Sequence, residues 1–126
     1  MIDCDHFKSI NDTWGHDGGD AVLIALVRIC QSKLREGDAI FRWGGEEFMA
    51  LLPGTSGDTA CVIAERLRQA LEEAETGYAG SMIRFTVSIG VAASGGTDDG
   101  ADDLILRVDQ ALYCAKHCGR NQVVQG

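Results

Sequence analysis

The sequence predicts an α+β domain, a mixed or antiparallel central sheet with flanking helices. Three observations lead there. Three stretches repeat apolar residues at helical spacing, and residues 84–93 alternate them with period two. Two short apolar runs, 39–43 and 48–52, are joined by Gly44-Gly45-Glu46-Glu47, the pattern of a β-hairpin. The element order β-α-β-β-α-β-α-β, with its hairpin in the middle, departs from the strict alternation of a doubly wound nucleotide fold.

Each element has its own grounds. Met1-Ile2-Asp3 reads as the end of a strand whose start lies upstream, because a central strand needs about five residues. Asp5 to Thr13 is polar and reads as one or two helical turns leading to a Gly-bounded loop. From Gly19 to Arg35, Leu23, Leu26, Val27, Cys30 and Leu34 fall on one helical face, with Asp17 or Asp20 as the expected cap. Both hairpin strands are largely apolar on both faces, so both are expected to be central; Pro53 ends the second. Thr59 to Ala74 is a helix with Ala60, Ile63, Ala64, Leu67 and Leu71 inward. In 84–93, Phe85, Val87, Ile89 and Val91 share one face of a strand. A Gly/Asp-rich loop over 94–100 leads to a third helix, Asp102 to Lys116, with Gly119 as its C-terminal cap. Gln122 to Val124 forms a last short strand.

Composition narrows the function. The 126 residues suit one domain, and 45% of them are hydrophobic, enough for a core. A net charge of -8 with no basic stripe argues against a nucleic-acid groove. An acidic chain still binds a polyphosphate when a metal ion neutralises carboxylates and phosphates together. Five cysteines, an odd number without CxxC spacing, point to reduced thiols in a cytosolic setting. Cys114, His117 and Cys118 could hold a metal on one helix, but idle thiols explain them as well. No signal peptide or membrane-length apolar run is visible.

The candidate chemistry gathers at strand ends. Asp3 closes one strand and Glu46 sits at the hairpin tip; if the strands are neighbours, the two carboxylates suit a hard cation such as Mg²⁺. Two solvated acids are the plain alternative. Gly44-Gly45 permits a tight turn and leaves room beside the backbone. Asn11, His16 and Asp20 lie in one Gly-rich stretch, where an amide and a carboxylate can meet the edge of a base. Turn and cap duties would also explain them. Lys8, Lys116 and Arg120 can neutralise phosphates, although Lys116 and Arg120 equally suit a helix C-terminus.

Longer motifs decide between these readings. Gly44-Gly45-Glu46-Glu47-Phe48 resembles the signature of the GGDEF family in its GGEEF form. Asp3-Cys4-Asp5-His6-Phe7-Lys8-Ser9-Ile10-Asn11-Asp12 resembles the family's D-x-D-x-F-K-x-I-N-D run, continued by Gly15-His16 and Gly19-Asp20. Thr86-Val87-Ser88-Ile89-Gly90 resembles its T-x-S-x-G strand. Asp109 to Lys116 and Gly119-Arg120-Asn121 resemble its closing block. The matches run in order over nearly the whole chain.

The resemblance implies a palm-like nucleotidyl cyclase fold and diguanylate cyclase activity, joining two GTP into cyclic di-GMP with release of pyrophosphate. It implies that Asp3, Glu46 and the main-chain carbonyl of Cys4 ligate Mg²⁺, or Mn²⁺ in its place. Glu46 is then the base for the ribose 3′-hydroxyl, and Glu47 the signature's second acid. Lys8 stabilises phosphate charge; Asn11, His16 and Asp20 contact the nucleotide; Lys116 and Arg120 hold its terminal phosphates. Arg35-Glu36-Gly37-Asp38 resembles the family's RxxD inhibitory site, so Arg35 and Asp38 are expected to bind product, with Arg66 reaching it from a neighbouring domain.

The resemblance further implies a homodimer in the active form, an upstream sensor domain and a cytoplasmic location, with membrane tethering left open. The family's D-x-L-T-G-L-x-N-R segment, which precedes Asp3, is absent, so the domain spanning 1–126 is expected to be N-terminally incomplete. Retention of Asp3, Lys8, Glu46 and Glu47 favours catalysis over a silent module that binds GTP or cyclic di-GMP. The acidic charge disfavours a polymerase-like palm.

Overall fold

The computed structural model describes residues 1–96 and 100–126. Strands β1 (Ile2–Cys4), β2 (Ala39–Gly44), β3 (Glu47–Leu51), β6 (Val87–Val91) and β7 (Val123–Gln125) form one sheet in the order β2-β3-β1-β6-β7. Every pairing is antiparallel except β6 with β7. Strands β4 (Thr76–Tyr78) and β5 (Ser81–Ile83) make a separate hairpin. Helices α1 (Phe7–Lys33), α2 (Gly57–Glu72) and α3 (Ala101–His117) complete the domain, a mixed sheet with flanking helices as the sequence predicts.

Side-chain alternation on β6 divides the layers. Val87, Ile89 and Val91 join the main core with Val22, Leu26 and Cys30 of α1 and Ala60, Ala64, Leu67 and Leu71 of α2. Gly90 faces the other way, where an added Cβ would meet the backbone of Val108 and Leu112 at 2.5 Å. So α1 and α2 cover one face of the sheet, while α3 presses on the other through a residue with no side chain.

The expected loop within the first helical region is instead a single break. Gly15, with φ 74° and ψ 172°, interrupts α1, and the helix resumes at once. Gly18 and Gly19 lie inside it because their backbone packs against Trp14 and Asn11, where a Cβ would stand 2.4 Å and 1.9 Å from side-chain atoms. These glycines serve close approach rather than a turn. Asp17 and Asp20 therefore lie within the helical run, and His6 is the N-cap, with no side-chain cap bond.

Helix α2 starts earlier than expected because the Ser56 hydroxyl accepts from the Thr59 N–H at 3.3 Å. Of the two hairpin strands expected to be central, β3 is, with Phe48 buried, but β2 is an edge. Its apolar residues are the misleading feature: Phe41 and Trp43 are 39% and 47% exposed, and the register shifts between Arg42 and Gly44. The strand expected over 84–93 is shorter, Val87–Val91, and the β4–β5 hairpin before it was not expected. Its strands are three residues each, too short for a period-two signal. The loop expected over 94–100 falls in part on 97–99, outside the described residues.

Helix α3 ends as its Gly119 suggests. Gly119 takes φ 116°, and the Arg120 N–H returns to the Ala115 carbonyl at 3.0 Å, a Schellman closure. No helix among the described residues is long and apolar enough to cross a membrane. An apolar cavity of about 770 Å³ opens between the end of β3, the start of β1 and the end of β6. The acidic residues lie at the other end of these strands, so the cavity and the candidate chemistry are separate.

Candidate active site

Register brings the acids together. Asp3 on β1 lies opposite Glu47 on β3 and Ser88 on β6, and opposed residues on antiparallel strands share a face. The Cys4 N–H donates to the Glu46 carbonyl at 3.3 Å, which ties the hairpin tip to the end of β1. Gly45 makes this tip possible: its φ of 52° lies in the left-handed region, where a Cβ is penalised. Cβ atoms built on Gly44 and Gly45 meet nothing within 4 Å, so the space beside the tip is open.

The electrostatics follow from this crowding. Asp3 is 2% exposed. Burial pushes its carboxyl above the usual range, the Lys116 ammonium opposes that, and the neighbouring Glu46 and Glu47 push the same way as burial. Lys116, arriving from α3, places Nζ 3.0 Å from Asp3 Oδ2. A phosphate held by Lys116 would therefore lie beside that carboxylate. Burial, with Asp3, Asp5 and Glu46 nearby, pushes the Cys4 thiol up to about 12. Cys4 is a core side chain and would offer a metal its carbonyl, not a thiolate.

The donor set fits magnesium. Among the described residues no three carboxylate, imidazole or thiol side chains are already gathered as a metal site. Two carboxylates and a main-chain oxygen leave the remaining positions to water and phosphate, the usual pattern for this ion. A divalent cation would also relieve the repulsion among Asp3, Glu46 and Glu47.

The other expected residues come from α1 and from the turn after α3. Lys8 is exposed in the first turn of α1, which leaves the sheet just after Asp3. Asn11 precedes the Gly15 break; its Oδ1 is buried, without a hydrogen-bond donor, against Gly19. His16 and Asp20 are exposed one helical turn apart beyond the break. Arg120 is exposed in the turn between α3 and β7, at a left-handed φ of 61°.

Arg35 and Asp38 are not part of this cluster. They lie before β2, at the end of the hairpin away from its tip, about 20 Å along a six-residue strand. Arg35 Nε donates to Asp38 Oδ1 at 3.3 Å, and its Nη2 donates to the Pro53 carbonyl at 2.7 Å and Thr55 Oγ1 at 3.0 Å. Arg66 is exposed on α2.

Sequence reasoning missed Asp5, Ser88, Arg68 and Asn121. Asp5 is 3% exposed and accepts from Thr86 Oγ1, Ser88 Oγ and the Asn121 N–H at 2.7, 2.6 and 3.0 Å. The Asp3-Cys4-Asp5 alternation held the signal, since period two puts both aspartates on the face opposite the core residue Cys4.

The diguanylate cyclase GGDEF domain family matches residues 1–122. The chain belongs to this family. The GGDEF domain is 52% identical over 124 residues to the diguanylate cyclase DgcM of Escherichia coli, covering 98% of this chain and 29% of that protein. The chain thus spans under a third of that curated relative. Among solved structures, the active GGEEF domain of a Vibrio cholerae diguanylate cyclase superposes with a TM-score of 0.90 at 39% identity, covering 98% of this chain and 78% of that one. The GGDEF domain of DgcB from Caulobacter crescentus, in complex with cyclic di-GMP, gives 0.90 at 30% identity, covering 98% and 74%.

Proposed function

We propose that this GGDEF domain is a diguanylate cyclase that condenses two GTP into cyclic di-GMP, releasing two pyrophosphates. The observation that carries the reading is the meeting of Asp3 with the Glu46-Glu47 tip through the β1–β3 register. Family membership supplies the reaction class.

In this reading Asp3, Glu46 and the Cys4 carbonyl hold Mg²⁺ with the GTP phosphates. Bound there, the ion lowers the cost of a 3′-alkoxide and of the departing pyrophosphate. Glu46 accepts the proton of the 3′-hydroxyl, with Glu47 as the adjoining acid. Lys8, Lys116 and Arg120 take up charge on the phosphates. Asn11 and Asp20 read guanine, and His16 adds a nucleotide contact. One domain holds one GTP. Two domains face each other in a two-fold pair, so that each hydroxyl attacks the other's α-phosphate in line.

Arg35, Asp38 and, from a neighbouring domain, Arg66 bind the product and hold domains apart in an unproductive arrangement. The exposed Arg35 guanidinium supports this, since a ligand's guanine or phosphate could compete for it. Incubation with GTP and Mg²⁺, followed by chromatography, is expected to yield cyclic di-GMP and two equivalents of pyrophosphate. Nucleotide binding without turnover would identify a silent binding module instead.

A further inference from the structure

The buried carboxylate of Asp5 has no part in the chemistry described so far, yet it joins three separate stretches of chain. Thr86 and Ser88 donate to it from β6 and its approach, and the Asn121 main-chain N–H donates from the turn after α3. The Asp5 N–H in turn donates to the Thr86 carbonyl at 2.9 Å.

Asn121 is held on its other sides as well. Its Oδ1 accepts from Arg68 Nη1 at 2.7 Å, and its Nδ2 donates to Glu72 Oε1 at 2.8 Å. Arg68 is itself fixed by Glu65 and Glu72 on α2. The main-chain N–H, Oδ1 and Nδ2 of Asn121 thus each have a partner.

This anchoring bears on its neighbour. Gly119, Arg120 and Asn121 all have positive φ: 116°, 61° and 46°. Two adjacent non-glycine residues in the left-handed region are uncommon and persist where surroundings over-determine them. The Ala115 carbonyl holds this turn on the Arg120 side, and Asp5 holds it on the Asn121 side. Arg120 between them is exposed, four residues beyond the Lys116 amine on Asp3.

We infer that Asp5 is a positioning residue: by fixing the Asn121 N–H it sets the turn from which Arg120 reaches the terminal phosphates of GTP. The inference rests on the proposed phosphate-holding role of Arg120. It assigns to Asp5 neither metal nor substrate contact.

The test is a double-mutant cycle on ligand affinity, read by calorimetry with Mg²⁺ present. Two ligands are compared: 3′-deoxy-GTP, which lacks the attacking hydroxyl, and GMP, which lacks the terminal phosphates. Asp5→Asn is expected to weaken 3′-deoxy-GTP about tenfold, the scale of one hydrogen bond to a charged group, and to leave GMP unchanged. In an Arg120→Ala background the same substitution should add nothing further. Independent, additive effects, or equal loss for both ligands, would overturn the positioning role while leaving the phosphate role of Arg120 standing. If Arg120→Ala alone leaves 3′-deoxy-GTP affinity unchanged, the reading of Arg120 fails and the role of Asp5 fails with it. Should Asp5→Asn not fold, Thr86→Val removes the donor that holds Asp5 Oδ2, the oxygen that accepts from the Asn121 N–H, and leaves Asp5 and Asn121 themselves in place. It must show the same selective loss for 3′-deoxy-GTP, and loss for neither ligand or for both counts against the proposal.

Discussion

The two ends of the β2–β3 hairpin contrast sharply. At the tip, Glu46 and Glu47 meet an aspartate more than forty residues away in sequence, and that aspartate is buried. Its only cationic side-chain partner among the described ion pairs, Lys116, comes from a third distant stretch. At the other end, Arg35 and Asp38 are three residues apart and pair with each other, with the guanidinium largely in solvent. The tip concentrates charge that the fold alone would disfavour, since like charges directly opposed on paired strands are destabilising. The far end is locally satisfied and costs little. In the proposed reading, the unrelieved charge is where a metal and a polyphosphate would bind, and the Arg35–Asp38 pair, with Arg35 also donating to Pro53 and Thr55, is a surface that a ligand would have to open.

The comparison breaks first at the tip if it is wrong. Glu46→Gln should lower GTP turnover by about 10³-fold, the usual contribution of a general base, without loss of fold by circular dichroism. Product inhibition is the next largest effect. Arg35→Ala should raise the cyclic di-GMP concentration for half inhibition about tenfold and leave the initial rate unchanged, as measured by pyrophosphate release. A fall in the initial rate would mean that the two ends are not separate.

A smaller effect sharpens the role of the surrounding network. Arg68 holds the Glu65 carboxyl through Nε and Nη2, and the Glu72 carboxyl through Nη1 with help from Asn121, below their ordinary value of 4.5. A carboxyl depressed on folding adds stability above its unfolded pKa, and that stability is lost as pH falls through the folded value. Arg68→Ala should thus lower stability near neutral pH. The difference from the parent should shrink below pH 4.5 in urea melts. A difference that stays constant or grows in acid would reverse the assigned sign.

How much was legible depended on the range of the contact. The hairpin, α2 and α3 could be read from local periodicity and from Gly119, because their determinants lie within a few residues. The Arg35–Asp38 pair was likewise local. The meeting of Asp3 with Glu46 required strand order, which no single stretch encodes; their strand-end positions left it conditional, and the match of several motifs in sequence favoured it. Asp5, Arg68 and Asn121 escaped because each looks like an ordinary polar residue until three elements converge on it. Gly18 and Gly19 misled because glycine serves close packing and turns alike, and β2 misled because aromatic residues at an edge mimic a buried strand.

The central claim is that Asp3 and Glu46 form one metal–nucleotide centre. Titration of Mn²⁺ followed by electron paramagnetic resonance, with 3′-deoxy-GTP present, tests it directly. The parent domain should bind the ion, and Asp3→Asn and Glu46→Gln should each weaken that binding at least about tenfold. Ion affinity unchanged in either variant, with the fold intact, would contradict the account.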